Sequence, residues 1–209
     1  MAAQQELPQA SPAPPLLVVI SGPSASGKGS LLAALRDLDR PWHFAVTATT
    51  RPMRAGEVDG KDYIFLDVDT FLRMRERDEL LESAQVYDRW YGVPRQQVRD
   101  PLIAGRDVIL EIDVQGADTI RSIAPEALTV FVMPASMHEL RSRLAGRGTE
   151  DETEMQRRLH EASIELGRMH EFDYRVVNRN GQLDDAVHEI DAIIAAEKCR
   201  VNPRLVQFL

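Results

Sequence analysis

The stretch VVISGPSASGKGSLLAAL, residues 18–35, decides how the chain is read. A run of β-branched and apolar residues ends in a glycine-bounded loop, a lysine follows, and leucines then recur at 31, 32 and 35. Strand, G-x-x-x-x-G-K and helix is the order of a phosphate-binding loop. Gly22 and Gly27 let the backbone curl so that successive N–H groups point inward, and the helix that follows adds its positive N-terminal end. Lys28 brings a point charge to the outer phosphates. With 12 glycines and three lysines in 209 residues, the pattern arises by chance roughly 0.01 times. The residue after Lys28 is Gly29, where the usual loop carries a Ser or Thr hydroxyl for magnesium. Ser30 comes one position late, with a hydroxyl that can still face the ion or its water.

Composition sets the surroundings of this loop. Hydrophobic content of 44% and charged content of 28% are those of an ordinary globular protein. No apolar run approaches membrane-spanning length and no charged-then-apolar leader opens the chain, so neither a span nor a signal peptide is expected. A single cysteine, Cys199, makes no internal disulfide and suits a reducing, cytoplasmic setting. The net charge of −8 argues against a nucleic-acid wrapper.

Residues 1–15, rich in Ala, Gln and Pro, are expected to be a disordered lead-in. Strands are expected at 16–21, 63–66, 107–114, 127–133 and 174–178, and a strand followed by a threonine-rich loop over 44–50. Helices are expected from Lys28, from Asp67 or Asp69 toward Glu82, ahead of Gly105, over 136–145, over 152–171 and over 182–198. Such alternation predicts a parallel sheet with helices on both faces.

Two further clusters carry chemistry. In TATTRPMRAGEVDGKDY, Arg51 and Arg54 stand three apart, followed by Glu57 and Tyr63. Two guanidinium forks with a tyrosine hydroxyl nearby suit a phosphate monoester, although this pattern alone leaves a solvated arginine loop open. In DVILEIDV, Glu111 and Asp113 fall on one face of an extended strand, at the sheet edge where α/β ligands bind.

The motifs SGPSASGKGS, TTRPMRAGEVDGKDYIF, LLESAQVYDRWYGVPR, DVILEIDVQGA, RLAGRG, RRL and YRVVN, in this order over about residues 17–200, resemble the guanylate kinase family. The resemblance implies a P-loop NTPase-type α/β fold with an inserted β-containing GMP-binding lobe over 47–95 and a helical lid over 140–158. The core would then comprise 16–46, 96–139 and 159–209. It implies transfer of the γ-phosphoryl group of ATP to GMP. These kinases commonly carry Gly directly after the loop lysine, which accounts for Gly29. Magnesium is then held largely through phosphates and water, with Ser30 and Glu111 as protein contacts.

By the same resemblance the ATP site comprises Gly22, Pro23, Ser24, Ala25, Ser26, Gly27, Lys28, Gly29 and Ser30, with Asn178 toward the adenine. Arg51, Arg54, Tyr63 and Tyr91 resemble the GMP phosphate clamp, with Glu57 beside them. Glu82 and Asp113 resemble the carboxylates that read guanine, whose N1–H and amino group are adjacent donors. Arg143, Arg147 and Arg158 resemble the lid arginines which, with Lys28, neutralise the transferring phosphoryl group. No general base is called for, because a phosphate monoester with a second pKa near 6 is already ionised at neutral pH. Two positions depart from the family. Thr47 stands where it usually has Ser, and Val93 stands where a Ser or Thr usually donates to guanine O6. Loss of one such bond weakens discrimination against adenine by roughly 1–2 kcal/mol. Two alternatives stay open: a same-fold kinase for another phosphorylated acceptor such as ribose 1,5-bisphosphate, and a non-catalytic phosphopeptide-binding module. Oligomeric state is not readable from the sequence.

Overall fold

A computed structural model describes residues 12–86, 88–145 and 152–207. The elements in chain order are β1 (Leu17–Ser21), α1 (Lys28–Arg36), β2 (His43–Phe44), β3 (Ala48–Thr49), β4 (Ile64–Phe65), α2 (Val68–Glu76), β5 (Leu80–Val86) and β6 (Arg89–Pro94). They continue with α3 (Arg95–Ile103), β7 (Val108–Glu111), α4 (Val114–Ile123), β8 (Leu128–Pro134), α5 (Met137–Ala145), α6 (Glu152–Gly167), β9 (Tyr174–Asn178) and α7 (Leu183–Lys198).

Every residue of β1 is buried, as a strand apolar on both faces must be. It lies mid-sheet, paired in parallel with β7 and β8, in the order β2-β7-β1-β8-β9. Alternate residues of β1 feed two cores. Val18 and Ile20 pack with Leu31 and Leu35 of α1 and with Ile190 and Ile194 of α7. Leu17 and Val19 pack on the other face with Val98, Leu102, Ala117 and Ile120 of α3 and α4. The expected α/β class is observed.

A second, four-stranded sheet has the order β4-β3-β6-β5, with β5, β6 and β3 antiparallel in succession and β4 parallel to β3. Its own core is small, built on Ala48, Phe71 and Leu80. Leu81 and Val93 tie it to the large core, where they join Val98, Leu110 and Ile112. Burying such side chains contributes about 1.5–3 kcal/mol each, so the two sheets are held in register across a cleft.

Several elements differ from expectation. The helix expected to run toward Glu82 stops at Glu76: Asp67 caps its start by accepting from Thr70 N–H at 2.7 Å, and Asp78 turns left-handed at φ 55°. Leu80–Val86 then pairs with Arg89–Pro94, so Glu82 sits on a strand of a hairpin absent from the sequence reading. Over 44–50, where the sequence predicts a strand and then a threonine-rich loop, the chain forms two short strands in different sheets, β2 and β3. The strand expected over 107–114 ends at Glu111; Asp113 instead caps α4, a helix not foreseen, by accepting from Gly116 N–H at 2.7 Å. Helix α6 ends at Gly167 and only a short 3-10 turn follows at Met169–Glu171. Residues 1–11 of the expected tail lie outside the described residues; Pro14 is held by Lys198, whose Nζ donates to its carbonyl at 2.8 Å.

Candidate active site

The glycine loop leaves β1 toward α1 with three left-handed residues, Gly22 (φ 141°), Ala25 (φ 63°) and Gly27 (φ 90°). A Cβ at Gly22 would lie 2.0 Å from the Val132 carbonyl oxygen, and one at Gly27 would lie 2.3 Å from Asn178 Nδ2. No side chain fits at either position. Ala25 pays the left-handed strain, of order 1–2 kcal/mol, and is seated against Leu140, Leu144 and Ala162. The side-chain hydroxyls of Ser21 and Ser26 are buried without a hydrogen-bond partner among the described residues. Lys28 Nζ donates to the carbonyls of Gly22 at 2.6 Å and Pro23 at 3.1 Å, curling over the loop mouth.

The loop is braced from behind. Arg143 donates to the carbonyls of Ser26 (2.8 Å) and Asn178 (2.7 Å) and to Asn180 Oδ1 (2.8 Å). Asn178, 5% exposed, donates its amide to the Ser26 carbonyl at 2.9 Å. Both side chains are thus engaged with loop backbone in this structure. Arg158 Nη2 donates to Ser24 Oγ at 2.7 Å. Arg147 lies outside the described residues. Ser30 is exposed in the first turn of α1, and Gly29 is exposed beside it.

In the cleft between the two sheets lies a cavity of about 240 Å³. Lys28, Thr47, Tyr63 and Tyr91 reach its wall, together with the carboxylates of Glu82, Glu111 and Asp113. The two tyrosine rings meet edge to face, 6.2 Å apart. Burial, then the charge of Glu111, raises the Tyr63 hydroxyl pKa. Arg36 and Asp62 also line the cavity. Neither was singled out from the sequence, although Arg36 stands two helical turns after Lys28 on the same face.

Glu82 is the most perturbed group of this wall. It is 8% exposed, and burial, reinforced by the charge of Asp113, pushes its pKa up to about 8. The first turn of α4 approaches closely: a Cβ on Gly116 would lie 3.2 Å from Glu82 Oε2.

Arg51 stands at the edge of this cluster, with its guanidinium 5.2 Å from the Tyr63 ring centre. Glu57 grips it with both oxygens, at 2.7 Å and 3.0 Å, and also accepts from Arg54 N–H at 2.7 Å. The hydrogen bond between them raises the Arg51 pKa and lowers that of Glu57. Glu57 therefore sits as the partner that orients Arg51. Arg54 is exposed, and Arg51, Arg54 and Glu57 stand off the cavity wall. Val93 is not brought to the wall either: it is fully buried among Leu81, Val98 and Ile112.

Among the described residues no group of three or more His, Cys, Asp or Glu is placed to hold a metal ion. Glu111 and Ser30 are hard oxygen donors, the kind magnesium takes, but too few for a cage of protein ligands alone. That donor set fits an ion carried in on phosphates. No helix among the described residues is long and apolar enough to cross a membrane.

A glycine loop at the carboxyl end of the central strand, with its lysine reaching a cavity between two sheets, is the arrangement of a P-loop phosphotransferase. The guanylate kinase family model matches residues 15–197. The chain belongs to the guanylate kinase family. It is 48% identical to the guanylate kinase of Caldanaerobacter subterraneus subsp. tengcongensis, over 90% of each chain. Its identity to the guanylate kinase of Halalkalibacterium halodurans is 45%, over 92% of this chain and 93% of that one. Among solved structures, the guanylate kinase of Anaplasma phagocytophilum superposes with a TM-score of 0.73 at 32% identity, over 90% of this chain and 89% of that one.

Proposed function

We propose that the protein moves the γ-phosphoryl group of MgATP onto GMP, giving ADP and GDP, with the ATP phosphates in the Gly22–Ser30 loop and GMP in the cavity between the sheets. The observation that carries this reading is Lys28, which belongs both to the loop and to the cavity wall. A group transferred between two nucleotides has to pass such a point. Tyr63, Tyr91 and Arg51, with Arg54 from outside, hold the acceptor phosphate. Glu82 and Asp113 take the guanine donors, and Thr47 supplies a hydroxyl beside them. Val93 offers no donor and acts as packing under the pocket.

Phosphoryl transfer through a loose transition state needs alignment and charge neutralisation more than covalent help. Lys28 swings from the loop carbonyls onto the phosphates. Arg158 neutralises phosphate charge from the other side, while Arg143 and Asn178 keep the loop in shape. Magnesium, when present on ATP, neutralises phosphate charge, with Glu111 and Ser30 as its protein-side contacts, directly or through water. Closure of the lobe over 47–95 and of the lid excludes water, the competing acceptor. The test is steady-state ADP release with MgATP and GMP, dGMP, AMP, IMP or ribose 1,5-bisphosphate as acceptor. GMP should lead AMP by two orders of magnitude or more. Faster turnover of ribose 1,5-bisphosphate would leave the fold reading intact and remove the acceptor assignment.

A further inference from the structure

Helix α6 touches the phosphate loop through a residue that the sequence reading did not single out. Glu165 Oε2 accepts from the Ser24 backbone N–H at 3.3 Å. Seven residues earlier, two turns along the same helix face, Arg158 donates to the hydroxyl of the same serine at 2.7 Å. Between them Leu159 and Ala162 pack with Ala25, Leu140 and Leu144. The helix is therefore seated on the loop, and the Glu165 carboxyl is held at the loop backbone.

The electrostatic setting matches this placement. Burial disfavours the charged form of Glu165, as do the charges of Asp113 and Glu161, while the Lys28 ammonium and the Ser24 N–H favour it. Glu165 thus lies within the field of the lysine that receives phosphate. A loop of inward N–H groups ahead of a helix N-terminus is an anion site. Here the backbone N–H of Ser24, in that loop, already carries a carboxylate oxygen from the chain itself. An arriving phosphate meets a like charge in a partly buried site, where screening by water is weak.

We propose that Glu165 sets nucleotide affinity at the donor site: its carboxylate competes with nucleotide phosphate for the Ser24 N–H of the loop, and MgATP has to displace it. The inference rests on the loop as the ATP site. When nucleotide leaves, the carboxylate returns to Ser24, so the vacated loop keeps an acceptor and its shape. A carboxylate that merely tied α6 to the loop would act with the opposite sign, because its loss would weaken nucleotide binding.

The sign is what the experiment reads. The full-length protein and its Glu165→Gln and Glu165→Asp variants are titrated calorimetrically with MgATP and, separately, with GMP, after thermal melts establish that each is folded. Glu165→Gln keeps size and an acceptor oxygen but removes the charge, and should bind MgATP about fivefold more tightly, with GMP affinity within about twofold of wild type. Glu165→Asp keeps the charge one methylene farther back and should shift MgATP affinity in the same direction by less. Unchanged or weaker MgATP binding by a variant that melts like wild type overturns the proposal. If Glu165→Gln fails to fold, the direction of the Glu165→Asp shift decides alone. Wild-type protein that binds no MgATP refutes the donor-site reading itself, which is a different failure.

Discussion

Replacing Glu82 by Gln should make the unliganded protein more stable at alkaline pH and, on the guanine-reading role proposed for this carboxylate, weaken GMP binding. The carboxyl is 8% exposed and its pKa is pushed up to about 8 in the folded protein. In the unfolded chain it returns to its ordinary 4.5. Between those values the folded state binds the proton that the unfolded state releases, so wild-type stability falls as pH rises through this window. The gap is worth at most about 5 kcal/mol, and water reaching the buried group would bring the measured loss nearer ~2–3 kcal/mol. Glutamine matches the protonated acid in shape and never ionises. Urea unfolding of both proteins at pH 5, 7 and 9 isolates this group, because other titrations cancel in the difference. The variant's advantage should grow by about 2 kcal/mol or more from pH 5 to pH 9. The same proton has a binding consequence: a carboxylate that accepts from both guanine donors must lose it. GMP binding at pH 7 should therefore release close to one proton, read as a dependence of the calorimetric heat on buffer ionisation enthalpy, and Glu82→Gln should abolish that release. A stability difference independent of pH, with no proton released on GMP binding, would refute the reasoning.

Three further outcomes follow from particular contacts. Lys28→Ala should lower turnover at least about 100-fold and leave the melting temperature nearly unchanged, because Lys28 donates to loop carbonyls at the surface of the cleft; steady-state kinetics and a thermal melt check this together. Gly116→Ala places a Cβ 3.2 Å from Glu82 Oε2 and 3.1 Å from Ile112 Cβ, which should raise the KM for GMP about 3- to 10-fold while the KM for ATP stays put. Glu57→Gln releases half the grip on Arg51; freeing one long side chain costs roughly 0.5–1.5 kcal/mol, seen as a higher KM for GMP with kcat little changed.

The parts of the fold legible in the sequence are those whose cause is local. LLVVIS and ALTVFVM are apolar on both faces and can only be central strands, and the glycines at 22 and 27 stand where the backbone turns left-handed against Val132 and Asn178. Strand β5 was missed because LLESAQV is written in helix-forming residues, and only pairing with β6 makes it a strand. Helix α4 was missed for the converse reason. Its Val, Thr, Ile and Gly are poor helix formers, and the signal that starts it is a single capping aspartate, which the sequence reading had placed on a strand. At the site, the residue types were legible and their partners were not. Arg143 and Asn178 both end on the carbonyl of Ser26, across 117 and 152 residues of chain. Nothing in the local pattern of either marks that destination.

Those distant partners share a logic. The charged groups of the site are paired within the chain, since an unpaired buried charge is expensive. Here each finds a group of the chain that resembles the ligand group proposed for it. Arg51, proposed to hold a phosphate, is gripped by the carboxylate of Glu57. Lys28, placed for phosphate oxygens, rests on the Gly22 and Pro23 carbonyl oxygens. The N–H of Ser24 rests on Glu165, and burial of Glu82, proposed to receive guanine donors, favours its protonated form. A partner that is exchanged on binding makes the measured affinity a difference between two satisfied states, whereas a partner that stays in place directs the group it holds. Removing the charge of a substitute should therefore separate two roles that look alike in a static structure. A competitor such as Glu165 yields tighter binding when neutralised, whereas an orienting partner such as Glu57 yields weaker binding, because Arg51 loses its direction along with its counter-ion.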